Sequence, residues 1–263
     1  MNMEMRPIQT FNEECKKEIL EQGNDLELSQ ISKKWLDQSS KHKYSYHFSW
    51  LGRPIIQLPQ DILALQEIIW STKPDIIVET GIAHGGSLIF SASMLALLDM
   101  DKFKSPSDLA NTPKMSRQVI GVDIDIRSHN RKTIENHPLS SNITMIEGSS
   151  VDSSIFEKIT RSIPTDSKVL VILDSNHTES HVLEELRLYS GLVTKDSYCI
   201  VCDTIVAEMA DNFYQNRPWG INNNPKGAVE KFLKETQDFT IDQEIDNKLL
   251  LSMSPRGYLK KIS

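Results

Sequence analysis

The sequence predicts an α/β fold in which a doubly wound, mostly parallel sheet follows a helical N-terminal extension. From residue 75 onward, short β-branched runs alternate with helix-patterned segments, as in parallel sheets with helices on both faces. The first run, Ile76-Ile77-Val78, leads into a glycine-rich turn and a helix. Hydrophobic content of 39% over 263 residues is enough for a sizeable core.

The pattern assigns the elements in order. Residues 9–38 have the apolar spacing of two short amphipathic helices, and residues 39–60 form an aromatic, proline-punctuated packed loop. Residues 60–72 form a helix that Asp61 is placed to cap. Strands are predicted at 75–79, 118–123, 142–146, 168–173, 197–202, 238–242 and 248–252, and helices at 86–99, 127–135, 151–162, 178–191 and 225–236. We therefore divide the chain into an extension (1–60) and a main domain (61–263), with a polar surface loop at 100–117.

Composition excludes several classes of function. A net charge of −7 argues against nucleic-acid binding, which needs clustered Lys and Arg. No segment approaches the ~18 to 20 apolar residues of a membrane span. Three cysteines give no disulfide framework, and Cys199 and Cys202 face opposite ways on a predicted strand. A cytoplasmic protein with reduced thiols is expected.

The turn after the first parallel strand is the most informative stretch. Glu79, Gly81, Gly85, Gly86 and Ser87 form a Glu-x-Gly-x-x-x-Gly-Gly-Ser pattern. Glycines let a ligand approach the backbone, and the acid suits a cationic amino group where a phosphate site would want Lys. The pattern favours S-adenosylmethionine over ATP or NAD. The alternative is an ordinary strand-to-helix turn.

The next two strand ends supply candidates for the rest of such a donor. Asp123 ends the second strand, where its carboxylate would accept hydrogen bonds from ribose hydroxyls, and Asp125 is the fallback. Ser149 and Ser150 follow the third strand and would face the adenine. Glu147 is either solvated or paired with a cation.

The fourth and fifth strands bring acids to the same edge of the sheet. Asp174 is followed three residues later by His177, and Asp203 ends the fifth strand. Two carboxylates suit Mg²⁺, while His177 is able to accept a proton near neutral pH. The structural alternative is that Asp174 caps the following helix and His177 lies in its first turn. His181 lies one turn further on.

Several motifs together resemble the cephalosporin hydroxylase family, which comprises class I S-adenosylmethionine-dependent O-methyltransferases and includes rhamnosyl O-methyltransferases. The matching runs span roughly residues 35–258, and they are Tyr44-Ser-Tyr-His-Phe-Ser-Trp50, Gly52-Arg-Pro-Ile-Ile-Gln-Leu-Pro-Gln-Asp61, Glu79-Thr-Gly-Ile-Ala-His-Gly-Gly-Ser87, Leu173-Asp-Ser-Asn-His-Thr178, Arg217-Pro-Trp-Gly220 and Asn224-Pro225. The resemblance implies a Rossmann-like fold, Asp174 as a metal ligand and His177 as the base. Related metal-dependent enzymes have two adjacent ligands after the fifth strand. This chain has Cys202-Asp203 there, so only Asp203 matches. The alternatives are that Thr204 or a water fills the second position, or that the protein works without metal.

These observations give one preferred function and two alternatives. The preferred reading is a Mg²⁺-assisted O-methyltransferase that acts on a hydroxyl of a sugar, a polysaccharide or a small metabolite, in polysaccharide or lipid biosynthesis. The acceptor site would be lined by Tyr46, Trp219 and Asn222. The aromatic extension suggests a homo-oligomer. One alternative is an antibiotic-tailoring methyltransferase of the cephalosporin type. The other is a non-catalytic partner subunit that binds the donor.

Overall fold

The computed structural model describes residues 5–101, 116–210 and 213–263. Its strands are β1 (Phe48–Trp50), β2 (Arg53–Ile55), β3 (Ile76–Thr80), β4 (Gln118–Asp123), β5 (Ile143–Glu147), β6 (Val169–Leu173), β7 (Tyr198–Val201), β8 (Phe239–Ile241) and β9 (Tyr258–Lys261). Its helices are α1 (Met5–Gly23), α2 (Leu26–Ser40), α3 (Pro59–Thr72), α4 (Gly86–Met100), α5 (Ser128–Glu135), α6 (Ser153–Ser162), α7 (Glu179–Tyr189), α8 (Pro225–Glu235) and α9 (Gln243–Leu249).

Within these residues, seven strands form one sheet in the order β5-β4-β3-β6-β7-β9-β8. Strands β3 to β7 pair in parallel, whereas β9 runs antiparallel to both β7 and β8. The chain winds outward from β3 to β5 and then returns to add β6 on the other side of β3. The switch point therefore lies between β3 and β6, where folds of this kind bind ligands. The predicted doubly wound, mostly parallel sheet is confirmed.

Apolar side chains cover both faces of the sheet. Ile77 packs in one apolar layer and its neighbour Val78 in the other, because successive strand residues point to opposite faces. Both are fully buried, which contributes about 1.5–3 kcal/mol for each side chain. Cys202 and Cys199 also lie in opposite layers, as their spacing predicts. No helix in the described ranges has the length and hydropathy that a membrane span requires.

The N-terminal segment contains the two expected helices, and it packs against both ends of the main body. Gln22 at the end of α1 donates to the carbonyl oxygens of Asn247 (2.8 Å) and Lys248 (3.1 Å) in α9. Residues 39–60, predicted as a loop, instead contain the β1–β2 hairpin. It lies on α4, where Trp50 Nε1 donates to Ser93 Oγ at 3.0 Å. Through these contacts the extension joins the C-terminal region to the helix that follows β3.

The predicted strand at 248–252 is wrong. Residues 243–249 are helical, and the last strand lies further on, at Tyr258–Lys261. Asp242 caps the helix by accepting from the backbone N–H groups of Glu244 (3.1 Å) and Ile245 (3.3 Å). The apolar run at 249–251 resembles a buried strand, but this cap and the buried side chain of Leu249 favour a helical turn.

The prediction that Asp61 caps α3 is also wrong. Leu58 is the N-cap residue and Pro59 begins the helix. Asp61 is instead buried, where it accepts from Ser252 Oγ (2.6 Å), Tyr258 Oη (2.8 Å) and a backbone N–H of the C-terminal loop. Burial raises the pKa of Asp61 to about 6. Most of the predicted surface loop at 100–117 lies outside the described residues.

Candidate active site

The glycine turn after β3 is shaped by close contact with neighbouring backbone. Gly81 has a φ of +89°, and a Cβ there would overlap the carbonyl oxygen of Asp174 at the end of β6. A Cβ on Gly86, the first residue of α4, would overlap the carbonyl oxygen of Pro54 in β2. Only glycine leaves enough room at these two positions, so the turn fits between the end of β6 and the hairpin.

Glu79 lies beneath this turn and is fully buried. Ser87 Oγ donates to one oxygen of its carboxylate, while Oε2 has no hydrogen-bond partner among the described residues. Burial raises the pKa of Glu79 from 4.5 to about 7. A buried acceptor without a donor costs about 1–3 kcal/mol. This oxygen is therefore suited to a ligand that brings N–H groups or an ordered water to it.

Asp123 lies at the carboxyl end of β4, and its carboxylate holds the glycine turn. Its Oδ2 accepts from the backbone N–H groups of Ile82 (2.8 Å) and Ala83 (3.2 Å). Its Oδ1 accepts from the backbone N–H of Asp125 at 3.1 Å. Asp123 is half-buried and Asp125 is exposed, so the strand-end acid is the one built into the site.

Two residues that the sequence did not single out hold the other side of the turn. Arg53 Nε donates to the carbonyl oxygen of His84 at 2.8 Å, and its Nη2 donates to Asn130 Oδ1 at 2.9 Å. Asn130 Nδ2 donates to the carbonyl oxygen of Ala83 at 2.8 Å. Arg53 lies in the Gly-Arg-Pro motif, which could have identified it as a site residue. Asn130 lies in a polar helix whose sequence contains no motif that points to the site.

Ser149 and Ser150 follow β5, beside β4 in the sheet. Ser150 is buried, and its Oγ lies 3.0 Å from Nε2 of His181. The same imidazole nitrogen is 3.2 Å from Ser175 Oγ, which donates to Oε1 of the fully buried Glu185 at 2.7 Å. His181 therefore connects the loop after β5 with the loop after β6. The other candidate of the third strand, Glu147, pairs with a cation, since its Oε2 lies 2.7 Å from an Nη atom of an arginine in α5.

The ends of β6 and β7 bring Asp174, His177 and Asp203 together, as the sequence predicted for these strand ends. One potential ligand atom from each residue lies within 4.8 Å of the other two. Nε2 of His177 is 3.2 Å from Oδ2 of Asp203. The two carboxylates supply the oxygen ligands that Mg²⁺ prefers, with water at the remaining positions, and the imidazole lies beside them.

The electrostatics of these acids also suit a cation. Burial raises the pKa of Asp174 well above its ordinary value, and the nearby carboxylates of Asp203 and Glu79 raise it further. Carboxylates crowded together in this way repel each other when ionised. A bound cation would offset that repulsion and keep both acids deprotonated.

Asp203 is held in an uncommon backbone conformation, with a φ of +55°. Its carboxylate lies beside Asp174 and His177. Its neighbours are used elsewhere. Cys202 is buried in the core, and Thr204 Oγ1 donates to the carbonyl oxygen of Pro255 at 2.7 Å. Neither neighbour is therefore placed as the second metal ligand that related enzymes have beside the first.

Two cavities meet at this cluster. The first, of about 200 Å³, is lined by the glycine turn and Asp174. The second, of about 380 Å³, is lined by aromatic side chains including Trp219. Both cavities share Tyr46, Ile56, His177 and Asp203. A ligand in one cavity would therefore meet a ligand in the other beside His177 and Asp203.

The structure brings two of the three predicted acceptor residues to this second cavity. Tyr46 lines it, and the Trp219 ring packs edge-on against His177 with ring centroids 4.7 Å apart. Asn222 is exposed and is not among the described residues that line either cavity. The loop turns away at the backbone pair between Gly220 and Asn223, so Asn222 projects from the turn.

Comparison with known proteins identifies the family of this chain. The model of the family described as "Rhamnosyl O-methyltransferase/CmcI" matches residues 42–262. The chain belongs to this family. The match covers the aromatic segment from residue 42 onward, the whole sheet and, apart from Ser40 and Lys41, the residues that line the two cavities. The sequence-based assignment to this family of O-methyltransferases is therefore confirmed.

Curated relatives agree with membership of the rhamnosyl O-methyltransferase/CmcI family, and a solved structure shares the fold. A rhamnosyl O-methyltransferase of Mycobacterium tuberculosis (strain H37Rv) is 28% identical over 202 residues, which cover 76% of this chain and 72% of that protein. One from Mycobacterium leprae (strain TN) is 29% identical over 213 residues, which cover 80% and 82%. A structure described as "cmcI-D160 Mg-SAM" superposes with a TM-score of 0.53 at 19% identity, covering 83% of this chain and 78% of that one. That similarity concerns the fold.

Proposed function

We propose that this chain, whose family and relatives identify it as an S-adenosylmethionine-dependent O-methyltransferase, methylates a hydroxyl of a sugar. The observation that carries the proposal is the meeting of two cavities beside His177 and Asp203. Transfer of a small group needs a donor and an acceptor held in contact and shielded from water. The proposal assigns the donor to the cavity of the glycine turn and the acceptor to the aromatic one. The curated relatives, named as rhamnosyl O-methyltransferases, support a sugar as the acceptor.

The donor would extend from the cavity of the glycine turn along the carboxyl ends of β3, β4 and β5, to residues that are not among the described ones lining the cavity itself: Glu79, Asp123, Ser149 and Ser150. Glu79 has a buried, unpartnered oxygen that suits the ammonium group of the methionine part, directly or through water. Asp123 would accept from the ribose hydroxyls, with Ser149 and Ser150 on the adenine side. The family relative described with Mg and SAM supports this choice of ligand.

Asp174 and Asp203 would hold a Mg²⁺ ion, and their crowded carboxylates fit that role. When bound, such an ion supplies a positive charge that stabilises an acceptor oxygen as it loses its proton. Asp203 also keeps the base in place, because its Oδ2 lies 3.2 Å from the imidazole of His177.

His177 would act as the base. Its Nε2 faces Asp203, and its ring is fixed by the edge-on contact with Trp219. The acceptor hydroxyl would give its proton to this imidazole as its oxygen forms a bond to the methyl carbon. The carbon–sulfur bond breaks at the same time, and the sulfur keeps the electron pair. Asp203 stabilises the imidazolium that results, so the acid and the base work as a pair.

Two measurements test the proposal in sequence. Calorimetric titration of the protein with S-adenosylhomocysteine should give a measurable heat of binding, and absence of heat would overturn the donor assignment. The protein, labelled S-adenosylmethionine and Mg²⁺ should then methylate a panel of simple glycosides that starts with methyl α-L-rhamnoside. A protein that binds the donor product but methylates no member of the panel would contradict the acceptor assignment.

A further inference from the structure

The acceptor cavity carries an unusual concentration of positive charge at its mouth. Lys41 and Lys43 lie on the turn after α2, and Arg217 lies on the loop before α8. All three are exposed and line the same cavity, although they come from segments far apart in the chain. The chain as a whole has a net charge of −7. This positive group is therefore a local feature that opposes the overall charge.

The carboxylates of the described residues do not neutralise these three cations. In the described ranges, no Asp or Glu oxygen lies within 4.0 Å of a charged nitrogen of Lys41, Lys43 or Arg217. Lys41 Nζ donates to the neutral amide of Gln38 at 2.9 Å, and the guanidinium of Arg217 lies 5.2 Å from the centroid of the Trp219 ring. Their charges are free to interact with a ligand.

Nearby acids are already used by other cations. Glu208 follows the end of β7, and its carboxylate lies 2.6 Å from Lys226 Nζ. Among the described residues that line the cavity, Asp203 is the only carboxylate, and the proposed function assigns it to the metal. A positive rim around aromatic walls focuses an electric field that attracts anions.

We infer that the natural acceptor carries an anionic group, a carboxylate or a phosphate, close to the hydroxyl that is methylated. The inference rests on the proposed function, because it needs the aromatic cavity to be the acceptor site. The sugar ring would stack on Trp219 and Tyr46 with its hydroxyl toward His177. Its acidic group would then lie at the mouth, where Lys41, Lys43 and Arg217 can donate charge-assisted hydrogen bonds.

The test uses pairs of probes that differ in one acidic group. The first pair is 4-nitrophenyl β-D-glucuronide and 4-nitrophenyl β-D-glucoside, and the second is glucose 1-phosphate and glucose. Binding is measured by calorimetry and saturation-transfer NMR on protein saturated with S-adenosylhomocysteine. The acidic member should bind at least about tenfold more tightly, and about 0.5 M salt should reduce that preference. The pair with the larger ratio of affinities between its acidic and neutral members shows whether the site prefers carboxylate or phosphate.

A triple variant removes the rim charges. It combines Lys41→Gln, Lys43→Asn and Arg217→Gln, with Asn at position 43 because the φ there is +53°. In this variant the acidic and neutral members of each pair should bind with affinities within about twofold of each other, while affinity for S-adenosylhomocysteine stays unchanged. The matched control is Lys195→Gln, an exposed lysine before β7 at the opposite end of the sheet. It should keep the wild-type preference.

Two outcomes overturn the inference. One is wild-type protein that binds S-adenosylhomocysteine but shows no preference for the acidic member of either pair. The other is a triple variant that keeps the preference. Failure of the wild-type protein to bind S-adenosylhomocysteine would instead contradict the proposed function, and the separate titration reveals it.

Discussion

Nε2 of His177 lies 3.2 Å from Oδ2 of Asp203, and both residues line the two cavities that meet at the carboxyl edge of the sheet. The two side chains come from different strand ends, β6 and β7, which pair in parallel. Their contact therefore depends on the sheet order rather than on local sequence. It joins the proposed base to one of the proposed metal ligands.

The first prediction concerns His177. The change His177→Ala should lower kcat by roughly 10²–10⁴, because it removes the group that accepts the proton. Affinity for S-adenosylhomocysteine should change little, because the variant leaves Glu79, Asp123 and the glycine turn, which would hold the donor, unchanged. Steady-state kinetics and calorimetry measure the two quantities. His129→Ala, on the exposed surface of α5, is the control and should behave as wild type. Loss of donor affinity with kcat retained would assign His177 a structural role.

A second prediction concerns the metal. Treatment with a chelator should lower activity, and Mg²⁺ should restore it. The change Asp203→Asn should raise the Mg²⁺ concentration needed for half-maximal activity by about tenfold or more, because an amide is a weaker ligand than a carboxylate. Asn tolerates the φ of +55° at this position, so the fold should be kept.

The control for this change is Asp196→Asn. Asp196 also has a positive φ, of +64°, but it precedes β7 at the far end of the sheet. Its Mg²⁺ dependence should match that of wild type. Equal Mg²⁺ dependence in the Asp203 variant and this control would exclude Asp203 as a ligand.

The third prediction compares two glycines. Gly81→Ala should destabilise the protein by several kcal/mol and abolish donor binding, since the new Cβ would overlap the carbonyl oxygen of Asp174 at a φ of +89°. Gly191→Ala should leave both properties nearly unchanged, because nothing lies within 4 Å of the Cβ position there. Urea unfolding and calorimetry measure the pair. Similar stability of the two variants would show that the turn can move.

The sequence predicted the parts of the molecule that local chemistry determines. Periodicity located the parallel strands, and the residues at their carboxyl ends had to share one edge of the sheet. The sequence alone therefore predicted that three side chains lie close together: Asp174, His177 and Asp203. The mistaken strand at 248–252 has a physical reason. Three consecutive leucines fit a buried strand or a buried helical turn, and only tertiary packing decides between them.

Contacts between distant segments were beyond the sequence. Arg53 and Asn130 hold the glycine turn through backbone carbonyls, and such contacts leave no periodic signal. The sequence placed Asp61 where a helix cap is common. In the structure its carboxylate accepts a hydrogen bond from the C-terminal loop, 191 residues away in the chain. Asn222 lies close to Trp219 in sequence, but the turn between them separates the two side chains.

The last prediction follows from the burial of Glu79, which raises the pKa of its carboxyl group from 4.5 to about 7. Below pH 4.5 the folded and unfolded chains both hold this proton. As the pH rises toward 7, the unfolded chain releases the proton first, so the free energy of unfolding falls until the folded group is also ionised.

In Glu79→Gln this loss of stability with rising pH does not occur. Without donor or metal, the variant should gain stability relative to wild type between about pH 5 and pH 8, reaching on the order of 3 kcal/mol. Urea unfolding across this range measures the difference, and the exposed Glu230→Gln should show none. A difference that does not grow with pH would mean that Glu79 is ionised in the folded chain throughout the range, and that its free oxygen already has a partner.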